Sequence, residues 1–160
     1  MVFSRRHLII GGFSLGALAF ANMAHANPKG IFPFKLSEAQ WRKRLSPTAF
    51  AVLRQEATER PGSSPLNKEK RKGTFSCAGC ALPLFSSDAK FESNTGWPSF
   101  WQPVPKAVGT SVDSSLFAER VEVHCARCGG HLGHVFDDGP KPTGKRYCMN
   151  GAALTFKASA

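Results

Sequence analysis

The sequence predicts a β-rich domain with two short helices in front, and three observations carry that expectation. Helical spacing of apolar residues is confined to residues 36–60. After Gly62 the chain falls into short runs such as GTFSC, SLFAERVEVHC and AALTFKA, separated by proline and glycine. With 160 residues, 42% of them hydrophobic and 20% charged, the chain can bury one core of ordinary size, which implies one domain.

The first 26 residues read as an address. SRRHLIIGGFSLGALAFANMAHA sets Arg5 and Arg6 ahead of an apolar run from Leu8 to Phe20 and closes on the small-x-small triplet Ala24, His25, Ala26, after which a signal peptidase can cut. The run is short for a transmembrane helix and is interrupted by Gly11, Gly12 and Gly16, so no stable membrane insertion is expected once the signal is cleaved. Ser4-Arg5-Arg6-His7-Leu8 resembles the twin-arginine signal of bacterial export, a route for folded proteins; an ordinary secretory signal with two arginines is the alternative. The expected organisation is an export signal over residues 1–26, a domain over residues 27–160, and a periplasmic or otherwise exported location.

The domain begins with an extended arm, NPKGIFPF, from Asn27 to Phe34. In LSEAQWRKRL, Ser37 is placed to cap a helix whose apolar face is Leu36, Trp41 and Leu45. In SPTAFAVLRQEATERPG, Ser46 caps, Pro47 sits in the first turn, Phe50, Leu53 and Ala57 recur at helical spacing, and Pro61 with Gly62 stops the run.

A net charge of +10 invites a nucleic-acid reading. Loss of residues 1–26 removes two arginines and no acid, so the charge stays at +8. Several Lys and Arg residues lie in the loop-like run NKEKRKG, Asn67 to Gly73, rather than along one helical face, so a solvated basic surface is the expectation and nucleic acid is not.

Four of the five cysteines form two CxxC pairs, Cys77-Ala-Gly-Cys80 and Cys125-Ala-Arg-Cys128, separated by 44 residues. Each tight turn can face two sulfurs to one point, and two turns complete an all-thiolate tetrahedron for structural zinc. Two disulfides or a redox pair are the alternatives. A CxxC disulfide closes a very small loop and restrains the unfolded chain little. Phe75 before the first pair and Val121 and Val123 before the second suggest strand-turn settings, not the helix N-terminus of a redox motif.

Cys148 is left over, following Lys145, Arg146 and Tyr147, where nearby cationic charge favours a thiolate; a small buried side chain on a strand is the other reading. In GGHLGHVF, His131 and His134 can lie close together on a glycine-rich turn and donate protons beside a thiol, or ligate a metal themselves. In NTGWPSFW, Trp97 and Phe100 can wall an apolar pocket or be plain core.

Taken together, CAGC, GWPSF, CARCGGHLGHVF and DGPKPTGKRYCMNGAAL, in this order and at these spacings, closely resemble the methionine sulfoxide reductase B family, over about Leu36 to Lys157. The resemblance implies a mainly β, barrel-like body of two antiparallel sheets with N-terminal helices, and zinc at Cys77, Cys80, Cys125 and Cys128. It implies Cys148 as nucleophile, His131 and His134 as proton donors to the sulfoxide oxygen, Asn150 orienting that network, and Trp97, Phe136 and Arg146 at the substrate, with Arg120 and Glu122 in supporting electrostatics. The implied substrates are proteins or peptides carrying methionine R-sulfoxide. The implied reductant is a thioredoxin-like carrier or a small thiol.

Two departures stand out. Many members carry a resolving cysteine directly before Gly-Trp-Pro-Ser-Phe, where this chain has Thr95, so recycling by external thiols is expected. The family's Ser-His-Gly-Met stretch is replaced by SLFA at Ser115 to Ala118. A zinc-ribbon binding module and a thiol-disulfide oxidoreductase remain the rival functions.

Overall fold

The structure, a computed structural model, describes residues 30–114 and 119–160. The expected signal over residues 1–26 and the SLFA stretch lie outside the described residues.

Both helices start where the capping residues direct. In α1 (Glu38–Arg44), Ser37 Oγ accepts the Gln40 N–H at 3.3 Å and Gln40 Oε1 accepts the Ser37 N–H at 2.8 Å, a reciprocal capping box. In α2 (Pro47–Gln55), Ser46 Oγ accepts the Ala49 N–H at 3.2 Å and Pro47 opens the first turn, where its missing N–H costs nothing. The end of α2 differs from the expectation. Helix stops at Gln55, six residues before Pro61, because Glu56 turns left-handed (φ 57°) and the Ala57 N–H bonds back to Ala51 O at 3.1 Å. Residues 57–60 are thereby released toward the body, where Glu59 is buried.

Among the described residues nine strands follow: β1 (Gly73–Cys77), β2 (Pro83–Ser86), β3 (Lys90–Phe91), β4 (Ser99–Phe100), β5 (Val108–Asp113), β6 (Arg120–Cys125), β7 (His131–Phe136), β8 (Arg146–Met149) and β9 (Leu154–Ala158). They form a three-stranded sheet, β2-β1-β9, and a six-stranded sheet, β3-β4-β8-β7-β6-β5, with antiparallel pairing throughout. The larger sheet has β3 and β5 at its edges and does not close on itself.

Phenylalanines join the two sheets. Phe75 of β1, Phe85 of β2 and Phe100 of β4 are fully buried; Phe85 stacks on Phe100 with centroids 4.3 Å apart, and Phe75 meets Phe100 edge-on at 5.0 Å. Phe100 is therefore core rather than pocket wall. Val52 and Leu53 bury α2 against the same body. Among the described residues no helix is long and apolar enough to cross a membrane.

The inter-sheet stack sets a clear expectation. Phe100→Ala removes the ring shared by both sheets and should lower the unfolding free energy by about 3–5 kcal/mol, read as a lower denaturant midpoint.

Candidate active site

Directly opposed residues on antiparallel strands share a face of the sheet, so the strand register by itself assembles a row of polar side chains. Ser111 of β5 opposes Glu122 of β6, Glu122 opposes His134 of β7, His134 opposes Cys148 of β8, and Cys148 opposes Ser99 of β4. Five strands thus contribute one residue each to a line across the larger sheet.

His131 joins this face through an irregularity. A spacing of three would send His131 and His134 to opposite faces of a regular strand. On β6 the partners of the histidine segment are Val123 and His124, adjacent in sequence, whereas on β7 they are Gly133 and His131; Leu132 is the extra residue of a bulge. The two imidazoles consequently meet edge to face with centroids 5.4 Å apart. They lie on a strand, not on the turn expected from the glycines. Gly133 has a reason of its own: a Cβ there would be driven into the carbonyl oxygen of Cys148 on the neighbouring strand.

Each imidazole is held by a carboxylate. His131 Nδ1 lies 2.9 Å from Glu122 Oε1, and Glu122 Oε2 accepts the Ser111 hydroxyl. His134 Nε2 lies 2.7 Å from Asp113 Oδ2, which also takes Arg120 Nη2 at 2.6 Å. Burial works to raise the Glu122 carboxyl, but hydrogen bonds from His124, His131 and Ser111 together outweigh it and hold the group ionised well below the usual carboxylate range. Burial lowers the His134 imidazole, with Asp113 opposing the shift. With Nδ1–H assigned to Glu122, His131 turns Nε2 to the site, and that buried atom has no hydrogen-bond partner among the described residues.

The other predicted residues lie on β7, on β8 and on the segments just before β4 and just after β8. Arg146, next but one to Cys148, makes a forked pair with Asp138 at 2.8 Å for each bond and lies 4.4 Å over the Phe136 ring. Asp138 raises its guanidinium against the effect of burial, and Cys148, two residues on along β8, adds to that rise. Trp97 is half-buried and donates its indole N–H to Glu59 O at 3.1 Å. Asn150 does not reach the imidazoles by a hydrogen bond: Oδ1 accepts the Glu59 N–H at 2.9 Å and Nδ2 donates to Leu132 O at 3.1 Å. It holds the bulged residue of β7 against the chain leaving α2.

Sequence reasoning missed Glu59 and Asp113. The Glu59 carboxylate accepts the Gly151 N–H at 2.6 Å and the Ala152 N–H at 2.8 Å, capping the turn just past Cys148, while its backbone holds Trp97 and Asn150. Within the sequence it looked like the tail of α2. Asp113 carried no local signal, since its role depends on which strand lies beside β6.

The four CxxC cysteines gather at the ends of β1 and β6. β1 ends at Cys77 and β6 at Cys125, so each pair spans a turn leaving a strand, as expected. All four sulfurs are buried and lie within 4.8 Å of one another. Cys77 and Cys128 are 3.7 Å apart and Cys80 and Cys125 are 3.5 Å apart, far beyond a disulfide bond. A tetrahedron with bonds of about 2.3 Å has edges of about 3.8 Å, so the cluster fits a metal ion. Knuckle carbonyls accept from arginines of both helices: Arg44 Nε reaches Gly79 O at 2.6 Å and Arg54 Nη1 reaches Cys128 O at 3.1 Å.

The row also sets an expectation. Gly133→Ala must push β7 away from β8, so we expect a lower melting temperature together with weakened protection of the Met149 amide region in hydrogen exchange, while the distant knuckles keep any bound metal.

Comparison with known proteins agrees with this geometry. Residues 45–158 match the SelR domain. The chain is 56% identical over 122 residues to the peptide methionine sulfoxide reductase MsrB of Methanosarcina barkeri, covering 76% of this chain and 86% of that protein. It is 59% identical over 119 residues to the MsrB of Bradyrhizobium diazoefficiens, covering 74% and 86%. Against the chloroplastic peptide methionine sulfoxide reductase B1 of Arabidopsis thaliana it is 52% identical over 124 residues, 77% of this chain and 61% of the plant protein. The polar row, the four-cysteine cluster and these matches together make the chain a member of the peptide methionine sulfoxide reductase B family.

Proposed function

We propose that the protein reduces methionine R-sulfoxide, in proteins, peptides or the free amino acid, with Cys148 as nucleophile. The observation that carries the reading is the cross-strand row: Cys148 faces His134 on β7, and His131, on the same face, presents a buried Nε2 without a partner. A thiol and a proton source on one face are what sulfoxide reduction requires, because oxygen leaves sulfur only after protonation.

In this scheme the Cys148 thiolate attacks the sulfoxide sulfur. The oxygen takes protons from the imidazole side of the site and passes to Cys148 as the hydroxyl of a sulfenic acid, and the methionine thioether departs. Sulfur in the substrate is reduced by two electrons and Cys148 is oxidised by two. Glu122 and Asp113 hold the imidazoles and favour their charged forms as the proton is shared. Arg146 favours the thiolate, Trp97 and Phe136 flank the substrate's apolar end, and Asn150 acts as a positioning residue through Leu132 and Glu59.

Recycling follows from Thr95. One external thiol condenses with the sulfenic acid to a mixed disulfide and water, and a second releases Cys148 with formation of the external disulfide. The donor is a thioredoxin-like carrier or a small thiol. The all-sulfur ligand set best suits zinc, which would pin the turns after β1 and β6 and leave no open position for chemistry. Residues 1–26 we read as a cleaved, twin-arginine-like export signal, supported by Arg5, Arg6 and the Ala24-His25-Ala26 triplet, which places the working enzyme in the periplasm or outside the cell.

Without reductant, one equivalent of methionine per enzyme is expected from the R epimer, with Cys148 trapped by a sulfenic-acid reagent and no intramolecular disulfide by mass analysis. A Cys148→Ser protein that still turned over, or equal use of the S epimer, would sink the assignment. For the metal, Cys125→Ser should lose one equivalent of zinc and most of the stability, measured by elemental analysis and thermal unfolding. Unchanged melting with metal absent would contradict it.

A further inference from the structure

Cys148 lies at one end of a chain of hydroxyl groups whose direction can be deduced. Cys148 Sγ is 3.7 Å from Thr95 Oγ1, Thr95 Oγ1 is 2.8 Å from Ser93 Oγ, and Ser93 Oγ is 2.7 Å from Ser99 Oγ. Ser99, which is almost fully buried, donates to the backbone oxygen of Trp97 at 3.1 Å. A hydroxyl has one proton to donate, and a carbonyl can only accept. For all four contacts to be hydrogen bonds at once, Ser99 must donate to Trp97 O and accept from Ser93. Ser93 must then accept from Thr95, and Thr95 must accept from the Cys148 thiol.

When the thiol proton leaves, that polarity no longer serves, because a thiolate can only accept. Rotation of three hydroxyls reverses the chain without breaking a covalent bond: Ser99 donates to Ser93, Ser93 to Thr95, and Thr95 to the sulfur. The bond given up, to Trp97 O, is neutral; the bond gained is to an anion and is the stronger kind. The thiol state makes four hydrogen bonds with four protons and the thiolate state three with three, so no donor is stranded in either.

We propose that Thr95 is a further catalytic residue, whose hydroxyl, oriented by Ser93 and Ser99, reverses on ionisation of Cys148 and donates to the thiolate beside Arg146. The residue that deprives this chain of an internal disulfide partner thus has a positive use in activating the nucleophile. The proposal rests on Cys148 as the reacting thiol, but its test reads the sulfur directly.

The test uses the full-length, metal-loaded protein, in which the four clustered cysteines are shielded, and follows alkylation of Cys148 by iodoacetamide. Thr95→Val should react about threefold more slowly than the parent at pH 7, because a loss of about tenfold in thiolate, the size expected for losing a hydrogen bond to a charged group, is partly offset by the higher nucleophilicity of the sulfur that remains. Raising the pH to 10 should remove the variant's disadvantage. Thr95→Ser, which keeps the hydroxyl, should stay within about twofold of the parent at both pH values. In the resting protein, the infrared S–H stretch, assigned by its loss in Cys148→Ser, should move to higher wavenumber in Thr95→Val and stay in place in Thr95→Ser. Should Thr95→Val not fold, Thr95→Ala is read in the same way. Equal alkylation of the parent and the hydroxyl-free variant at pH 7, or an S–H band that does not move, overturns the proposal. A Cys148→Ser enzyme that retained reductase activity would instead overturn the proposed function and leave the alkylation result standing.

Discussion

The close approach of β7 and β8 at Gly133 governs the geometry of the site. Only a residue without a side chain lets the β7 backbone lie against the Cys148 carbonyl, and that closeness keeps His134 directly across from the thiol. The bulge at Leu132 then brings the second imidazole round to the same face, and Asn150 fixes the bulge by holding the Leu132 carbonyl. Three backbone facts within a few residues bring two imidazoles and a thiol together on one face of the sheet.

β6 connects this chemistry with the cysteine cluster while keeping the two apart. Its alternation sends Arg120 and Glu122 toward the histidines, and it ends on Cys125. One short strand is thus fastened at its end by the knuckles and loaded at its middle with the carboxylate that orients His131. Tying the strand end is a mechanical contribution to the polar row, since β6 carries Glu122 three residues before Cys125. The helices add to the same fastening, since Arg44 and Arg54 reach knuckle carbonyls.

Features set by neighbours in the chain were legible in the sequence. Ser37 and Ser46 cap helices, Cys77 and Cys125 end strands, and the regular runs become β1, β6 and β9. The family resemblance, carried by motifs of fixed spacing, pointed to the right family. Features set across strands were not legible. Periodicity alone cannot reveal that His131 and His134 share a face, because the bulge exists only relative to β6. Asp113 becomes a histidine partner only through the pairing of β5 with β6, and Glu59 was hidden by a helical pattern that continued past the residue where Glu56 ends the helix. Asn150 turned out to be engaged with backbone groups rather than imidazoles, a distinction residue type cannot make.

The position of Asp113 at the last residue of β5 has a kinetic meaning. Among the described residues β5 is paired on one side only, and such margins fray before the interior of a sheet does. Cys148, by contrast, lies on β8 with a neighbour on each side. Cys148 is therefore held in the interior of the sheet, and the carboxylate that holds His134 at its margin. An opening of the β5 margin would release one imidazole from its carboxylate and leave Cys148 in register, so the hold on His134 would loosen before the hold on the thiol.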